Sequence, residues 1–277
     1  MQPRRIWLCA DDYGIAPGVN AGIRDLIGRG RLNATSVMVV APNFTQHEAD
    51  ALAQLGNSGS SFAIGLHVTL TAPFRPLSKE LSPLREGAFL PLGTTLGHAL
   101  TRRLSRQHLD VEVGAQLRAF AAAFGRPPDF IDGHQHVQLF PTIRDSVLSM
   151  GKGAAPNAWM RQCGRTLPLH QRLSNPKALL LDVLSREFRR RAEALGIRTN
   201  PAFAGAYDFT KKTDFAAQFA GFLRGLPPDG LVMCHPGFVD AELERLDPLT
   251  RQREREYAFF DGDAFPALLA AEGVVLA

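Results

Sequence analysis

Cysteine is scarce in this 277-residue chain, which contains only Cys9, Cys163 and Cys234. Three widely spaced cysteines form neither a disulfide framework nor a CxxC-type zinc motif. Long apolar runs are also missing, because no stretch reaches the roughly 18–20 residues that a membrane-spanning helix needs. The first residues pass from MQPRR through the short run IWLCA into two acids, which does not match a secretory signal peptide. These absences predict a cytoplasmic protein without a membrane span.

Several motifs for nucleotide or covalent chemistry are absent as well. No glycine-rich fingerprint follows the first apolar run, no P-loop occurs, and no G-x-S-x-G motif marks a serine nucleophile. Cys234 and His235 are neighbours in a strand-like run, where adjacent side chains point to opposite faces. The sequence therefore disfavours dinucleotide binding, phosphate-loop chemistry and a cysteine–histidine pair.

The excess of positive over negative charge is small. Thirty-one lysines and arginines stand against 27 acids, giving a net charge of +4 and a pI of about 9.2. The densest basic runs, 185–195 and 250–260, alternate with acids or apolar residues at helical spacing. That pattern is typical of solvated helix faces, and binding of nucleic acid or of an anionic membrane surface is the less favoured interpretation. We therefore expect no nucleic-acid partner.

The chain does contain a regular alternation of short apolar runs and amphipathic stretches. Apolar runs predict strands at 5–10, 34–40, 62–70, 129–137, 157–162, 230–237 and 273–277. Helical periodicity predicts helices at 17–30, 43–55, 110–124, 176–195, 215–226, 247–260 and 263–272. This alternation predicts a mostly parallel α/β sheet, and the number of strands favours an irregular TIM-like barrel over a doubly wound open sheet. We interpret 1–277 as one domain, with an irregular loop excursion at about 72–98.

Polar side chains gather at the ends of the predicted strands. Four segments supply Asp11, Asp12, His67, Asp132, His134, His136 and His235. Each residue alone is more often a hydrogen-bonded core residue than a ligand. In parallel barrels, however, the carboxyl ends of the strands meet at one rim, so these groups are expected to converge. Two imidazoles and one carboxylate are a common ligand set for a catalytic divalent ion.

The adjacent acids Asp11 and Asp12 raise an electrostatic problem, because buried carboxylates repel each other. A divalent ion offsets that repulsion, and one acid can then coordinate the ion while the other accepts a proton from water. Neighbouring residues of a regular strand point to opposite faces, so the backbone must leave β geometry at this pair. Gly14 would permit such a turn.

Four segments of the chain resemble the signatures of the YdjC-like carbohydrate deacetylases, a family that includes chitooligosaccharide deacetylases and hopanoid-biosynthesis-associated members. They are ADDYG, GLHVTLT, IDGHQHVQLFP and CHPGFVD, in the family's order between about residues 5 and 240. The resemblance implies a TIM-like barrel and a divalent metal ion held by Asp12, His67 and His134. It implies Asp11 as the catalytic base and His235 as the general acid or a group that positions it. The implied reaction hydrolyses the N-acetyl group of an amino sugar and releases acetate.

The chain departs from the family's usual pattern at three positions. Tyr13 stands where phenylalanine is usual, Gly133 where serine is common, and Gln138 where many members have another histidine. No proposed ligand is lost, but Gly133 and Gln138 change the contacts expected around His134. We expect His136 to face the substrate or to support a ligand rather than to bind the metal.

Four further residues are candidates for substrate contact or for support of the site. The aromatic side chains of Tyr13, Trp159 and Phe238 are suited to stacking on sugars, although packing in the core is the commoner role. Arg161 is suited to pair with Asp11 and hold that carboxylate ionised.

Neither the metal nor the exact function is fixed by these residues. Carboxylate ligands favour Mg²⁺ and imidazoles favour Zn²⁺, and this ligand set is mixed. The expected partner is an N-acetylated sugar, and a homodimer is plausible. Two alternatives stay open, another metal-dependent hydrolase such as a phosphoesterase, and a sugar- or glycolipid-binding protein without activity.

Overall fold

The computed structural model describes residues 3–57, 61–164, 176–209 and 214–276. Its strands are β1 (Arg4–Tyr13), β2 (Ala34–Val37), β3 (Ala63–Val68), β4 (Phe130–Gly133), β5 (Trp159–Met160), β6 (Phe203–Ala204), β7 (Leu231–Cys234) and β8 (Val274–Leu276). Every pairing between these strands is parallel, in the order β5-β4-β3-β2-β1-β7-β6, and β8 pairs with the start of β1. The prediction of a mostly parallel α/β sheet is thus confirmed.

Helices connect the strands and cover the outside of the sheet. They are α1 (Pro17–Gly28), α2 (Gln46–Asn57), α3 (Leu92–Leu100), α4 (Arg106–Phe124), α5 (Ile143–Ala154), α6 (Pro176–Ala194), α7 (Phe215–Leu223), α8 (Ala241–Leu246), α9 (Arg251–Asp261) and α10 (Ala264–Ala271). Local signals explain several of their ends. Pro17 occupies the first turn of α1, the Ser105 side chain caps α4, and Gly125 ends α4 in the left-handed conformation. None of the helices in the described ranges is long and apolar enough to cross a membrane.

The sheet curls on itself into an open barrel. At one edge, Met160 of β5 forms a bridge with Thr199 and its backbone N–H donates to the carbonyl of Arg198. The same segment continues into β6, which pairs with β7. The chain before β6 therefore spans the gap between β5 and β7, as expected for an irregular TIM-like barrel.

Side chains inside the barrel lie in layers, because every second residue of each strand points inward. At the amino-terminal end, the Trp159 ring stacks on Phe130 with centroids 4.5 Å apart, and Trp7 lies 5.9 Å from Trp159. Two residues further along the chain in each case, Cys9, Asp132 and Arg161 are in contact, so a thiol and two charged groups replace the aromatic rings. The polar end of the barrel is the end at which the parallel strands finish.

Several elements differ from the prediction, including β6 and α8, which were not predicted. The strand predicted at 129–137 ends at Gly133, and His134–Leu139 form a 3₁₀ helix in which Gln135 and His136 have left-handed backbone angles. The excursion predicted at 72–98 contains the start of α3, and α5 was not recognised from the sequence. The 3₁₀ segment matters most, because it changes the direction of His136.

Candidate metal centre

A β-bulge at Asp11 and Asp12 brings both carboxylates into the barrel rim. In the pairing with β2, Ala10 stands opposite Thr35 and Tyr13 opposite Val37, so two residues of β1 oppose one residue of β2. Asp12 has a φ of +70°, in the left-handed region that Asp tolerates better than most residues. The break in β geometry that the sequence required therefore falls on Asp12 itself. Both carboxylates are at least 98 % buried, with exposures of 2 % and 1 %.

Three candidate ligands meet around one carboxylate oxygen. The Oδ1 atom of Asp12 lies 3.0 Å from Nδ1 of His134 and 3.3 Å from Nε2 of His67. All three ligand atoms lie within 4.8 Å of one another. One carboxylate and two imidazoles at this spacing fit a divalent ion with further positions left for water or substrate.

Neighbouring polar groups orient the His67 ring. Its Nδ1 atom lies 2.6 Å from Oδ1 of Asp132 and 2.9 Å from Oγ of Ser36. In the neutral ring, an Nδ1–H donated to Asp132 leaves the Nε2 lone pair free for a metal ion, which is the usual arrangement for a metal-binding histidine. Burial lowers the pKa of His67, but the charge of Asp132 and the hydrogen bonds to Asp12 and Asp132 raise it to about 10. An incoming cation must therefore displace a proton from this ring.

Arg161 holds the Asp11 carboxylate by both oxygens. Its Nη1 donates to Oδ2 and its Nη2 to Oδ1, each at 2.6 Å, and Nη2 also lies 2.6 Å from Oδ2 of Asp132. Burial raises the pKa of Asp11, but the charges of Arg161 and His67 outweigh it and bring the pKa to about 2. The pairing expected between Arg161 and Asp11 is thus present. The same guanidinium lies among Cys9, Asp11 and Asp132, so a cation already occupies that second cluster of possible ligands.

Helix α9 supplies two buried charged residues that sequence reasoning missed. Nη2 of Arg253 donates to Oδ2 of Asp12 at 2.6 Å and to Oδ2 of Asp247 at 2.7 Å. Glu256 accepts hydrogen bonds from the backbone N–H of His235, at 2.6 Å, and from the Tyr207 hydroxyl. Burial raises the pKa of Glu256 to about 7 despite these hydrogen bonds.

The interpretation of residues 250–260 as a solvated helix face was therefore wrong for one side of α9. Arg253, Glu256 and Phe260 are all fully buried, at spacings of three and four residues. That spacing puts two charges on the same helix face as a phenylalanine, and it was the available signal for burial. Burial also lets Arg253 neutralise one oxygen of Asp12, so Asp12 presents only its Oδ1 to the two histidines.

His235 lies beside the acids at the rim. Cys234 pairs with Ala10 across β7 and β1, which makes His235 and Asp11 the next residues of the two strands. The ring Nδ1 of His235 is buried and has no hydrogen-bond partner among the described residues. The Phe209 ring packs edge-on against the His235 ring, with centroids 5.5 Å apart. Burial lowers the pKa of His235, although the charges of Asp12 and Asp11 oppose this.

The structure does not bring His136 or Tyr13 to the cluster. His136 turns toward Cys163, whose Sγ lies 3.5 Å from its Nδ1, and packs on Phe203. Its left-handed backbone breaks the strand alternation, so His134 and His136 do not share a face. Tyr13 is fully buried and its hydroxyl donates to the Glu48 backbone oxygen at 2.8 Å, which leaves no surface for a sugar.

Trp159 and Phe238 have different surroundings. Trp159 belongs to the aromatic layer at the amino-terminal end of the barrel, so the structure places it away from the rim. Phe238 is 40 % exposed and packs against Tyr257 with ring centroids 4.5 Å apart. Phe238 therefore offers an exposed ring to a substrate, whereas the half-buried Trp159 has its open surface at the opposite end of the barrel.

Gly133 and Gln138, two of the positions that differ from the family's usual pattern, lie next to each other. A Cβ atom on Gly133 would lie 2.7 Å from Oε1 of Gln138. Gln138 is fully buried, and its Nε2 donates to the backbone oxygen of Arg161 at 3.3 Å. The small residue at 133 thus makes room for the glutamine, which contacts the strand that carries Arg161.

The YdjC-like protein family model matches residues 5–271 of this sequence. The chain belongs to the YdjC-like family. Three relatives carry the description chitooligosaccharide deacetylase. The protein from Serratia marcescens is 29 % identical over 245 residues, covering 84 % of this chain and 82 % of the relative. The Escherichia fergusonii protein is 29 % identical over 229 residues, covering 74 % and 86 %. The Proteus mirabilis protein is 37 % identical over 135 residues, which is 48 % of this chain and half of that relative.

Solved structures share the fold at lower identity. A candidate cellobiose-phosphate cleavage protein from Enterococcus faecalis V583 has a TM-score of 0.78 at 21 % identity, covering 100 % of this chain and 97 % of the other. The Bc1960 peptidoglycan N-acetylglucosamine deacetylase has a TM-score of 0.51 at 9 % identity, covering 99 % and 85 %. These similarities establish the shared barrel-like α/β fold.

Proposed function

We propose that the chain is a metal-dependent carbohydrate N-deacetylase, which hydrolyses the N-acetyl group of an amino sugar. The observation that carries the proposal is the cluster of Asp12, His67 and His134 beside the ionised, arginine-held carboxylate of Asp11. A ligand set next to a fixed carboxylate is what hydrolysis of an unactivated amide requires. The descriptions of the three relatives as chitooligosaccharide deacetylases support the same reaction.

The site residues have separate proposed roles, which follow from the groups that each side chain contacts. Asp12, His67 and His134 would hold a divalent ion, Mg²⁺ or Zn²⁺, which when bound supplies Lewis-acid chemistry toward the amide carbonyl and water. Asp11 accepts a proton from the attacking water, and Arg161 fixes the direction of its lone pairs. Because the pKa of Asp11 is about 2, the carboxylate is ionised across the physiological range and holds a proton only transiently.

His235 is proposed to transfer a proton to the leaving amine. Its Nδ1 has no protein partner in the described ranges, and it borders Asp11 across the two strand ends. Glu256 fixes this residue through its backbone N–H, so the ring direction depends on α9. Phe238, with its exposed ring, is the proposed contact for the sugar.

The two alternative functions fit the site less well. A phosphoesterase needs cations free to bind phosphate, whereas Arg161 and Arg253 are each engaged by two carboxylates. A binding protein has no need for a buried carboxylate held in the ionised state. The geometry therefore favours hydrolysis over both.

The direct test measures acetate release from N-acetylated chitooligosaccharides after removal of metal and readdition of Mg²⁺ or Zn²⁺. We expect activity only with added metal, and a loss of at least about a hundredfold in Asp11→Asn, the range over which general bases contribute. Metal content separates the roles, since Asp11→Asn should keep the ion and His134→Ala should lose it. Full activity in Asp11→Asn, or full metal content in His134→Ala, would contradict the assignment.

A further inference from the structure

A second groove lies at the amino-terminal end of the barrel, opposite the candidate metal centre. Its volume is about 650 Å³, and the starts of β1, β3, β4 and β5 surround it. Volumes of this size are typical of sites for small molecules. Trp7 lines the groove four residues before Asp11 on β1, which corresponds to about 13 Å along a strand. The groove is therefore separate from the site proposed for deacetylation.

Two indole rings line this groove. Trp7 and Trp159 are both half-buried, and the far side of Trp159 is fixed by its stack on Phe130. Phe62 completes the apolar part of the lining. Rigid aromatic rings that keep part of their surface open can pack against a flat or ring-shaped ligand at little cost in conformational entropy.

Arginines give the groove a positive charge. Arg5, Arg126 and Arg198 line it together with one acid, Asp129. Arg126 donates to both carboxylate oxygens of Asp129, at 2.8 and 3.0 Å, so these two charges cancel. Arg5 and Arg198 are exposed, and neither forms an ion pair with any residue in the ranges the structure describes.

The positive charge continues beyond the groove. Arg198 also borders an adjoining cavity of about 540 Å³, which is lined by Arg186, Arg189, Arg190 and one acid, Glu193. The two cavities together expose six arginines against two acids. Arg190 is paired with Glu187 and Arg126 with Asp129, and the linings of the two cavities still carry a local excess of positive charge.

We propose that the groove binds a small phosphorylated ring compound, with the ring against Trp7 and Trp159 and the phosphate at Arg5 and Arg198. Guanidinium groups bind phosphate through paired, charge-assisted hydrogen bonds. Sugar phosphates and nucleotides share this chemistry, and the two are separated by experiment. The groove contains none of the residues of the candidate metal centre, so the proposal is independent of the deacetylase assignment.

The chain offers a direct probe, because its two tryptophans both line the groove. Glucose 6-phosphate and AMP are titrated against tryptophan fluorescence, with correction for adenine absorbance. Glucose and adenosine, which lack the phosphate, and inorganic phosphate, which lacks the ring, serve as controls. We expect saturable quenching by one or both phosphorylated compounds below about 1 mM, and binding at least about tenfold weaker for each control compound. Stronger binding of AMP would identify a nucleotide site, and stronger binding of glucose 6-phosphate a sugar phosphate site.

Arginine variants test the position of the phosphate. Arg5→Gln and Arg198→Gln should each weaken binding about tenfold, which is the effect of losing one charge-assisted hydrogen bond. Arg245→Gln, at an exposed arginine paired with Glu242 on α8, is the matched control and should bind as the wild type does. Acetate release and the thermal unfolding temperature should be unchanged in all three. Absence of saturable quenching up to about 10 mM, or equal binding by Arg198→Gln and the control, would overturn the proposal.

Discussion

Replacement of Arg253 by methionine tests whether this arginine and the metal ion share the charge of Asp12. The guanidinium joins Asp12 and Asp247 through bonds of 2.6 and 2.7 Å and is fully buried. Its loss leaves the Oδ2 atom of Asp12 buried without a partner. Breaking one side of such a buried pair typically costs roughly 3–5 kcal/mol.

Bound metal should offset part of that cost, because it supplies positive charge to the same carboxylate. The apo form of Arg253→Met should therefore lose roughly 3–5 kcal/mol, or roughly 6–20 °C in unfolding temperature for a chain of this size, and the metal-saturated form should lose less. It follows that added metal raises the unfolding temperature of the variant more than that of the wild type.

The assay is thermal unfolding with excess chelator and again with saturating Mg²⁺ or Zn²⁺. Arg245→Met is the control, since this arginine is exposed and paired with Glu242, and little change is expected under either condition. If metal stabilised Arg253→Met and the wild type equally, Arg253 and the ion would not act on the same carboxylate. If the variant lost no stability at all, the buried contact with Asp12 would itself be in error.

Three further predictions concern neighbouring groups. Asp132→Asn should weaken metal binding about 10–100-fold by calorimetry, because His67 loses the carboxylate that orients it, whereas Asp129→Asn at the opposite end of the barrel should not. Glu256, with its pKa raised to about 7 from 4.5, stabilises the fold below pH 4.5, and this contribution is lost as the pH rises through 7. In urea unfolding, Glu256→Gln should lack this decrease in the free energy of unfolding, which is of the order of 3 kcal/mol. If its stability depended on pH as that of the wild type does, the raised pKa of Glu256 would be contradicted. Gly133→Ala should cost about 1–3 kcal/mol in wild type but less in Gln138→Ala, and additive losses would show that the two positions are not coupled.

The alternation of strands and helices could be predicted because it depends on local periodicity. Apolar runs marked β1, β2, β3, β4 and β7, and the carboxyl ends of β1, β3, β4 and β7 carried the polar residues that the barrel then brought together. The strands β5 and β6, with two residues each, were harder to define, because so short a pairing has hardly any periodic pattern of its own. In such cases the neighbouring strands, rather than the local sequence, determine where pairing begins.

The segment after Gly133 shows where local reasoning failed. An H-x-H pattern in a strand would place both rings on one face, but Gln135 and His136 adopt left-handed angles that local propensity does not favour. Contacts with Cys163 and Phe203, both distant in sequence, accompany that conformation. A backbone that depends on tertiary contacts cannot be recognised from spacing.

Helix α9 presents the same difficulty for charged residues. Arg253 reaches Asp12 across 241 positions of sequence, and nothing near residue 253 signals that partner. An alternating basic and acidic helix ordinarily indicates exposure, since unpaired charges are too costly to bury. The exception depends on partners at Asp12 and Asp247 that only the closed barrel brings within reach.

Asp11 and Asp12 show both a local sequence signal and a dependence on partners that are distant in sequence. Two adjacent buried carboxylates indicated a site, and the need for both to face one rim implied a local break in the strand. The bulge provides the break, but two arginines complete the electrostatics, with Arg161 on Asp11 and Arg253 on Asp12. Each acid is therefore ionised before any metal arrives, which means that the ion is not needed to hold the two charges together. The proposed position of the ion depends instead on the Oδ1 atom of Asp12, which Arg253 does not bind and which faces His67 and His134.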